Sequence, residues 1–175
     1  RGQTWELAGQ MAGPPPCNQP VFALLWDTNR QGWWAGTSNG LYFRLSGSSA
    51  WQQVPEITGA VFDIALDKAG SLYAARSDEG LFRQEPDGRW VCIRHEPRVL
   101  AVATSSMGQS IFLGTAGNGL WVSDDGGNSW LQASELQGEY ISALLVSDED
   151  GHWVYACARK QVYRSGNLGR TWKPV

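Results

Sequence analysis

Among the acids of this 175-residue chain, Asp63 stands out, because it lies inside an apolar run, Val61-Phe-Asp-Ile-Ala-Leu66. A carboxylate buried there must meet a cation, an amide or water, since burying it alone is costly. The plain expectation is a satisfied strand acid; the sharper one is a group that touches a ligand. Asp67, Asp78, Glu79, Asp87, Asp124, Asp125, Asp148, Glu149 and Asp150 fall in turn-like clusters. Glycoside hydrolysis needs two carboxyl groups facing each other across a cleft, and the spacing singles out no such pair. His95 and His152 have no Ser or Cys partner in a nucleophilic motif. Ser147-Asp-Glu-Asp-Gly151 lacks the spaced ligands and closing Glu of a calcium loop and reads as an acidic hairpin turn. Cys17, Cys92 and Cys157 are too few for a disulfide framework or a zinc site. Cys92 and Cys157 are expected to be buried as small apolar groups, which leans slightly towards a reducing compartment. No metal or cofactor is expected, and the recurring Gly-Leu pairs lead into strands, not into phosphate-binding helices.

The elements that position these groups repeat. Trp51, Trp90, Trp130 and Trp172 are 39, 40 and 42 residues apart. Gly40-Leu41, Gly80-Leu81 and Gly119-Leu120 recur at the same period, with Gln161-Val162 as a weaker fourth copy. A first segment runs 21–26, 61–66, 99–104 and 141–146, and a second 33–37, 72–76, 111–115 and 154–158. A third carries the aromatic column Tyr42, Phe82, Trp121 and Tyr163, and the repeated Trp opens a fourth. Each is short and rich in β-branched and aromatic residues, and Gly, Asn, Asp and Ser separate them, which is a strand pattern. Four strands every ~40 residues is the period of a propeller blade. The expected blades lie near 21–54, 60–93, 99–133 and 140–175, in one all-β domain or domain segment. Asp63 then takes the place of Ala23, Ala101 and Ala143 on an innermost strand.

Net charge is −3, with 42% hydrophobic and 18% charged residues. The chain can bury a core, and mild acidity offers nothing to nucleic acid or to an anionic membrane. No apolar run approaches the ~20 residues of a membrane helix, so no membrane insertion is expected.

Two hairpin turns carry a motif. Ser123-Asp-Asp125-Gly-Gly127-Asn-Ser129-Trp130 and Ser165-Gly-Asn167-Leu-Gly169-Arg-Thr171-Trp172 both read S-x-D/N-x-G-x-S/T-W. Asp or Asn can bond amides of its own turn, Gly takes a left-handed conformation, and the Trp packs against the sheet. Trp130 and Trp172 are therefore expected to be largely buried. The motif resembles the Asp-box, or BNR, repeat of β-propellers such as sialidases, xyloglucan-type glycoside hydrolases, sortilin-like receptors and photosystem assembly factors. The first two units keep only the Trp. Gly2-Gln-Thr-Trp5 resembles the end of another box, so residues 1–8 are expected to form an extra outer strand, and 9–20, with Pro14-Pro15-Pro16, an extended connection.

The resemblance implies scaffolding at the boxes and does not choose an activity. Three functions compete: a non-catalytic module presenting loops to a protein, a carbohydrate-binding module, and part of a glycosidase-type domain. The expected binding surface is the set of turns between second and third strands, with Asn39, Arg76, Asp78, Asn118, Arg159 and Lys160, and Asp63 beneath them. Trp26 and Trp33 lack aromatic siblings and are the expected exposed aromatics. Four blades with uncapped ends should need completion by the rest of a propeller, a second copy or another partner.

Overall fold

The computed structural model describes residues 19–106, 109–147 and 153–175. The expectations for residues 1–8, for most of the 9–20 connection including Cys17, and for His152 and the acids Asp148, Glu149 and Asp150 lie outside the described residues.

Among the described residues, sixteen strands form four antiparallel sheets, each built from four consecutive strands in sequence order. The first contains β1 (Val21–Asp27), β2 (Gly32–Thr37), β3 (Gly40–Leu45) and β4 (Gln52–Thr58). The second contains β5 (Val61–Leu66), β6 (Leu72–Arg76), β7 (Gly80–Gln84) and β8 (Trp90–His95). The third contains β9 (Val99–Thr104), β10 (Ile111–Thr115), β11 (Leu120–Ser123) and β12 (Leu131–Gln132). The fourth contains β13 (Ile141–Ser147), β14 (Trp153–Ala158), β15 (Gln161–Ser165) and β16 (Lys173–Pro174). Outer strands β4 and β8 run to Thr58 and His95, past the ends expected from sequence at 54 and 93. A 3-10 turn at Ser134–Leu136, which no sequence pattern announced, follows β12.

The first strands pack side by side in sequence order, β1 on β5, β5 on β9 and β9 on β13. They are the inner edges of four blades, and the molecule is a β-propeller array. Each first strand carries a register shift one residue in, at Phe22, Phe62, Leu100 and Ser142.

Three apolar clusters fill the three spaces between neighbouring blades. Trp34 and Leu41 meet Ile64 and Leu72 between blades one and two. Tyr73 and Leu81 meet Val102 and Ile111 between two and three. Phe112 and Leu120 meet Val154 and Ala156 between three and four. This is why the first strand of each unit is apolar at nearly every position: alternate side chains go to opposite neighbours. The second strand must stay slim where the next blade's inner strand crosses it. A Cβ on Gly36 would sit 2.7 Å from the Val61 carbonyl oxygen, and one on Gly114 2.7 Å from Ile141 Cγ2.

Candidate functional site: the rim of turns between second and third strands

All four second-to-third-strand turns make the same backbone bond. The amides of Ser38, Ser77, Ala116 and Arg159 donate to the carbonyls of Pro20, Ala60, Arg98 and Tyr140, each the residue before its blade's inner strand. This ties each turn to its own blade's entry and makes a rigid rim at one end of the array. In blades one and three a Thr hydroxyl closes the turn. Thr37 Oγ1 donates to Gly40 O at 2.9 Å and Thr115 Oγ1 to Gly119 O at 2.8 Å.

On this common frame the side chains differ. Arg76 forks onto Asp78, donating through Nε at 2.8 Å and Nη2 at 3.1 Å, and its Nη1 pairs with Glu79. The Asp78 carboxyl is held below its ordinary range chiefly by that Arg76 hydrogen bond. Asn39 and Asn118 are each fixed through their carbonyls, which accept from Gln53 at 3.1 Å and Gln132 at 2.8 Å. Asn118 Nδ2 also donates to Glu96 at 2.6 Å. Arg159 pairs with Glu139 at 3.0 Å, and Lys160 beside it is exposed.

Asp63 lies two residues in from this rim. Its Oδ1 accepts from its neighbour Ile64 N, and its Oδ2 accepts from Val102 N on β9, both at 2.9 Å. It is a bracket between the inner strands of blades two and three. Burial pushes its carboxyl up, against the two amide bonds that favour the charged form. Ala23, Ala101 and Ala143 in the same column cannot make such a bridge.

The motif-bearing turns lie at the opposite ends of these strands. In the first, Gly127 N donates to Ser123 Oγ at 2.8 Å, Ser129 N to Asp125 Oδ1 at 2.8 Å and Trp130 Nε1 to Gly127 O at 3.1 Å. In the second, Gly169 N donates to Ser165 Oγ at 2.8 Å, Thr171 N to Asn167 Oδ1 at 2.9 Å and Trp172 Nε1 to Gly169 O at 3.0 Å. The Ser129 hydroxyl and amide, with the Ser123 hydroxyl, hold the Asp125 carboxyl down at about 2. Gly127 and Gly169 have positive φ, and a Cβ there would strike Ile93 of blade two at 2.8 Å or Phe112 of blade three at 2.7 Å. Each turn therefore also spaces its blade from the one before.

Trp172 is buried as expected, but Trp130 is only half-buried. The difference comes from the 3-10 turn: Leu136 packs in the cluster with Trp172, and Trp172 N donates to Glu135 at 3.2 Å. Cys92 and Cys157 are likewise half-exposed, Cys92 because it lies on an outer strand. Its sulfur is 3.6 Å from His95 Nδ1, a neighbour the sequence reading did not anticipate, and burial pushes the thiol up, away from the reactive thiolate.

Three acids among the described residues are buried, Asp27, Asp67 and Glu96; Asp67 was expected in a turn, and no motif singles out the other two. Asp27 accepts from Trp34 Nε1 at 3.0 Å and from Arg30 Nη1 at 2.6 Å. Asp67, at the same position one blade on, accepts from Ser71 N at 2.8 Å and from the Tyr73 hydroxyl at 3.4 Å, and burial followed by the Asp67 charge lifts that phenol to about 12. Glu96 is held between Arg94 and Asn118. The repeat spacing of Asp27 and Asp67 was the available signal for the first two. Two clefts open between blades three and four on the motif-turn side, of about 220 Å³ beside Leu131 and Gly169 and about 430 Å³ beside Gln109 and Asn167. The Asp124–Arg170 ion pair, at 3.7 Å, borders both. Among the described residues no cluster of His, Cys, Asp and Glu could hold a metal ion.

No protein-family model matches the sequence. No curated protein matches it closely enough to count as a relative. Solved structures do match in shape. The computationally designed Ika4 protein superposes with a TM-score of 0.70 at 13% identity, over 94% of this chain and 99% of that one. The extracellular domain of a hybrid two-component system from B. thetaiotaomicron gives 0.71 at 18%, over 94% of this chain and 23% of that one. A GH74 xyloglucanase from Xanthomonas campestris gives 0.69 at 18%, over 89% and 30%. This chain thus spans under a third of the length of the two natural proteins. At such identities the likeness is one of fold, and it is the fold of a β-propeller.

Proposed function

We propose that this chain is a non-catalytic interaction module, a propeller scaffold that binds a protein partner through its rim. The observation that carries this is the amide-to-carbonyl bond made identically in all four rim turns, over which Arg76, Asp78, Asn118, Arg159 and Lys160 change the chemistry from blade to blade. Variable side chains on a fixed frame are what recognition needs, and mixed charges orient a polar partner. In this reading the turns 123–130 and 165–172 are Asp-box turns with a structural role, their Ser, Asp or Asn, and Gly spent on bonds within the turn.

A carbohydrate-binding module is the second reading. Trp26 and Trp33 form a tilted pair, 5.1 Å between ring centroids, with Trp33 exposed. Both project onto the open side of blade one, where a neighbouring blade would cover them, which favours packing over a sugar platform. Part of a glycoside hydrolase ranks third; its support is the fold shared with the xyloglucanase. Three assays separate the readings. Affinity capture dependent on the rim residues supports the first. Retention on a glycan array with no rim-dependent protein capture would replace it with the second. Turnover of chromogenic glycosides would replace it with the third.

A further inference from the structure

The two ends of the array expose the two halves of one interface that the chain already makes three times. On the side of blade one that faces away from blade two, Val21 is 46% exposed and Leu24 62%. Their equivalents Val61 and Val99, and Ile64 and Val102, are at most 7% exposed and pack into the preceding blade. Trp33, at 37%, likewise stands where Leu72, Ile111 and Val154 are fully buried. On the far side of blade four, Leu145 is 62% exposed where Ala65 and Ala103 are buried, and Val162 is 41% exposed where Leu41, Leu81 and Leu120 show no exposure. Cys157, half-exposed, continues the slim column of Gly36, Ala75 and Gly114 that elsewhere admits the next blade's inner strand.

The open strips correspond, column by column, to faces that are covered elsewhere in the chain. On blade one the outer residues Ala35, Tyr42 and Trp51 are already buried, so the open part is the inner-strand strip with Trp33 of β2 beside it. On blade four Arg164, folded over Trp153 at 4.8 Å, stands in the column of Phe43, Arg83 and Val122, and Arg83 holds that place within the covered interface between blades two and three, where its Nη1 donates to Gly126 O at 2.8 Å. Leu24 against Leu145 would repeat the pairing of Ile64 and Leu25, two large aliphatic residues in one cluster between blades one and two.

We propose that the occupant of these faces is a second copy of this chain, bound head to tail, with blade four of each copy seated on blade one of the other. Such contacts are heterologous and must close or propagate. Two four-bladed arcs give eight blades, within the roughly 4–8 blades that propellers hold; three copies would exceed it. The rim turns of both copies then form one ring around a shared channel. This is independent of what the rim binds.

Sedimentation velocity of the 175-residue chain at micromolar concentration tests it. The expected result is a closed species of twice 19.2 kDa. A monomer overturns the proposal, and so does a mass that keeps growing with concentration. Leu24→Asp and Leu145→Asp should each give a monomer that still melts cooperatively, since both side chains are exposed in the single chain, at a temperature lowered only by the lost association. Mixing the two variants should restore a dimer, because the intact blade four of one meets the intact blade one of the other. If Leu24→Asp dissociates the dimer and Leu145→Asp does not, the blade-one faces pair with each other and the head-to-tail arrangement fails.

Discussion

The two ends of the blades differ in what they repeat. At the motif-turn end, blades three and four repeat three side-chain bonds, with serine hydroxyl, Oδ1 and indole each meeting the same partner; the bond between the Asp or Asn and the Ser or Thr hydroxyl runs in opposite directions. At the rim all four blades repeat a backbone bond and share little in their side chains. Where side chains are consumed by the turn itself, they are unavailable to a partner. Where a backbone bond is common to all four turns, and only blades one and three add a Thr hydroxyl, the remaining side chains are free to diverge without cost to the fold. Repetition of side chains therefore marks structure here, and divergence on a repeated backbone is the ground for proposing the rim as the recognition surface.

The largest expected effect tests the structural end. Trp172→Ala should lower stability by about 3–5 kcal/mol, as large core truncations do. Trp130→Ala should cost about half of that, because its ring is half-buried and area removed from water sets the scale. Denaturant titrations of both variants measure this, and equal losses would contradict the covering role given to the 3-10 turn. Next comes Gly169→Ala, which adds a Cβ at positive φ against Phe112. Overpacking and backbone strain together should cost about 1–3 kcal/mol, whereas Gly47→Ala, also at positive φ but with open space around it, should cost less.

A pH titration sharpens the comparison within the motif turns. The Asp125 carboxyl is lowered from 3.8 to about 2. A lowered folded-state value contributes stability above the unfolded value and loses it as pH falls through the folded one. Asp125→Asn, which copies the Asn167 turn, should therefore melt below the parent at neutral pH. The gap should close between about pH 4 and about pH 2. Carboxylates common to both proteins cancel in that difference, so a gap that persists at pH 2 would remove Asp125 ionisation from the account. The smallest effect on stability is expected at the rim. Removing exposed ion pairs such as Arg159–Glu139 should change it by less than about 1 kcal/mol.

Much of the fold was legible in the sequence because a blade repeats its requirements. Each inner strand needs apolar residues on both faces, and each second strand needs a slim residue where its neighbour crosses, so Val61, Val99, Gly36 and Gly114 announce themselves by column. What depends on a single tertiary neighbour was not legible. The shielding of Trp172 by Leu136 and Glu135, the half-burial of Trp130, and the capture of Glu96 by Arg94 and Asn118 have no echo in other blades. Asp67 reads from sequence as a solvated turn acid and Asp27 carries no motif, because their partners Trp34 and Tyr73 sit across the hairpin and the sequence does not show that they reach back. The rim residues were legible as variable turns; that one backbone bond fixes all four turns was not.

The most direct test of the claim that the rim, and not the motif-turn face, is the binding surface compares two variants in parallel. One replaces Arg76, Asp78 and Arg159 with Ala; the other replaces Asp124, Leu131 and Arg170 around the clefts of the opposite face. Each, with the parent, is immobilised at equal density, and the proteins retained are quantified alongside a thermal melt. The account predicts that the rim variant keeps its melting temperature and loses the partners the parent retains, while the cleft variant keeps both. Full retention by the rim variant, with loss by the cleft variant, would contradict it.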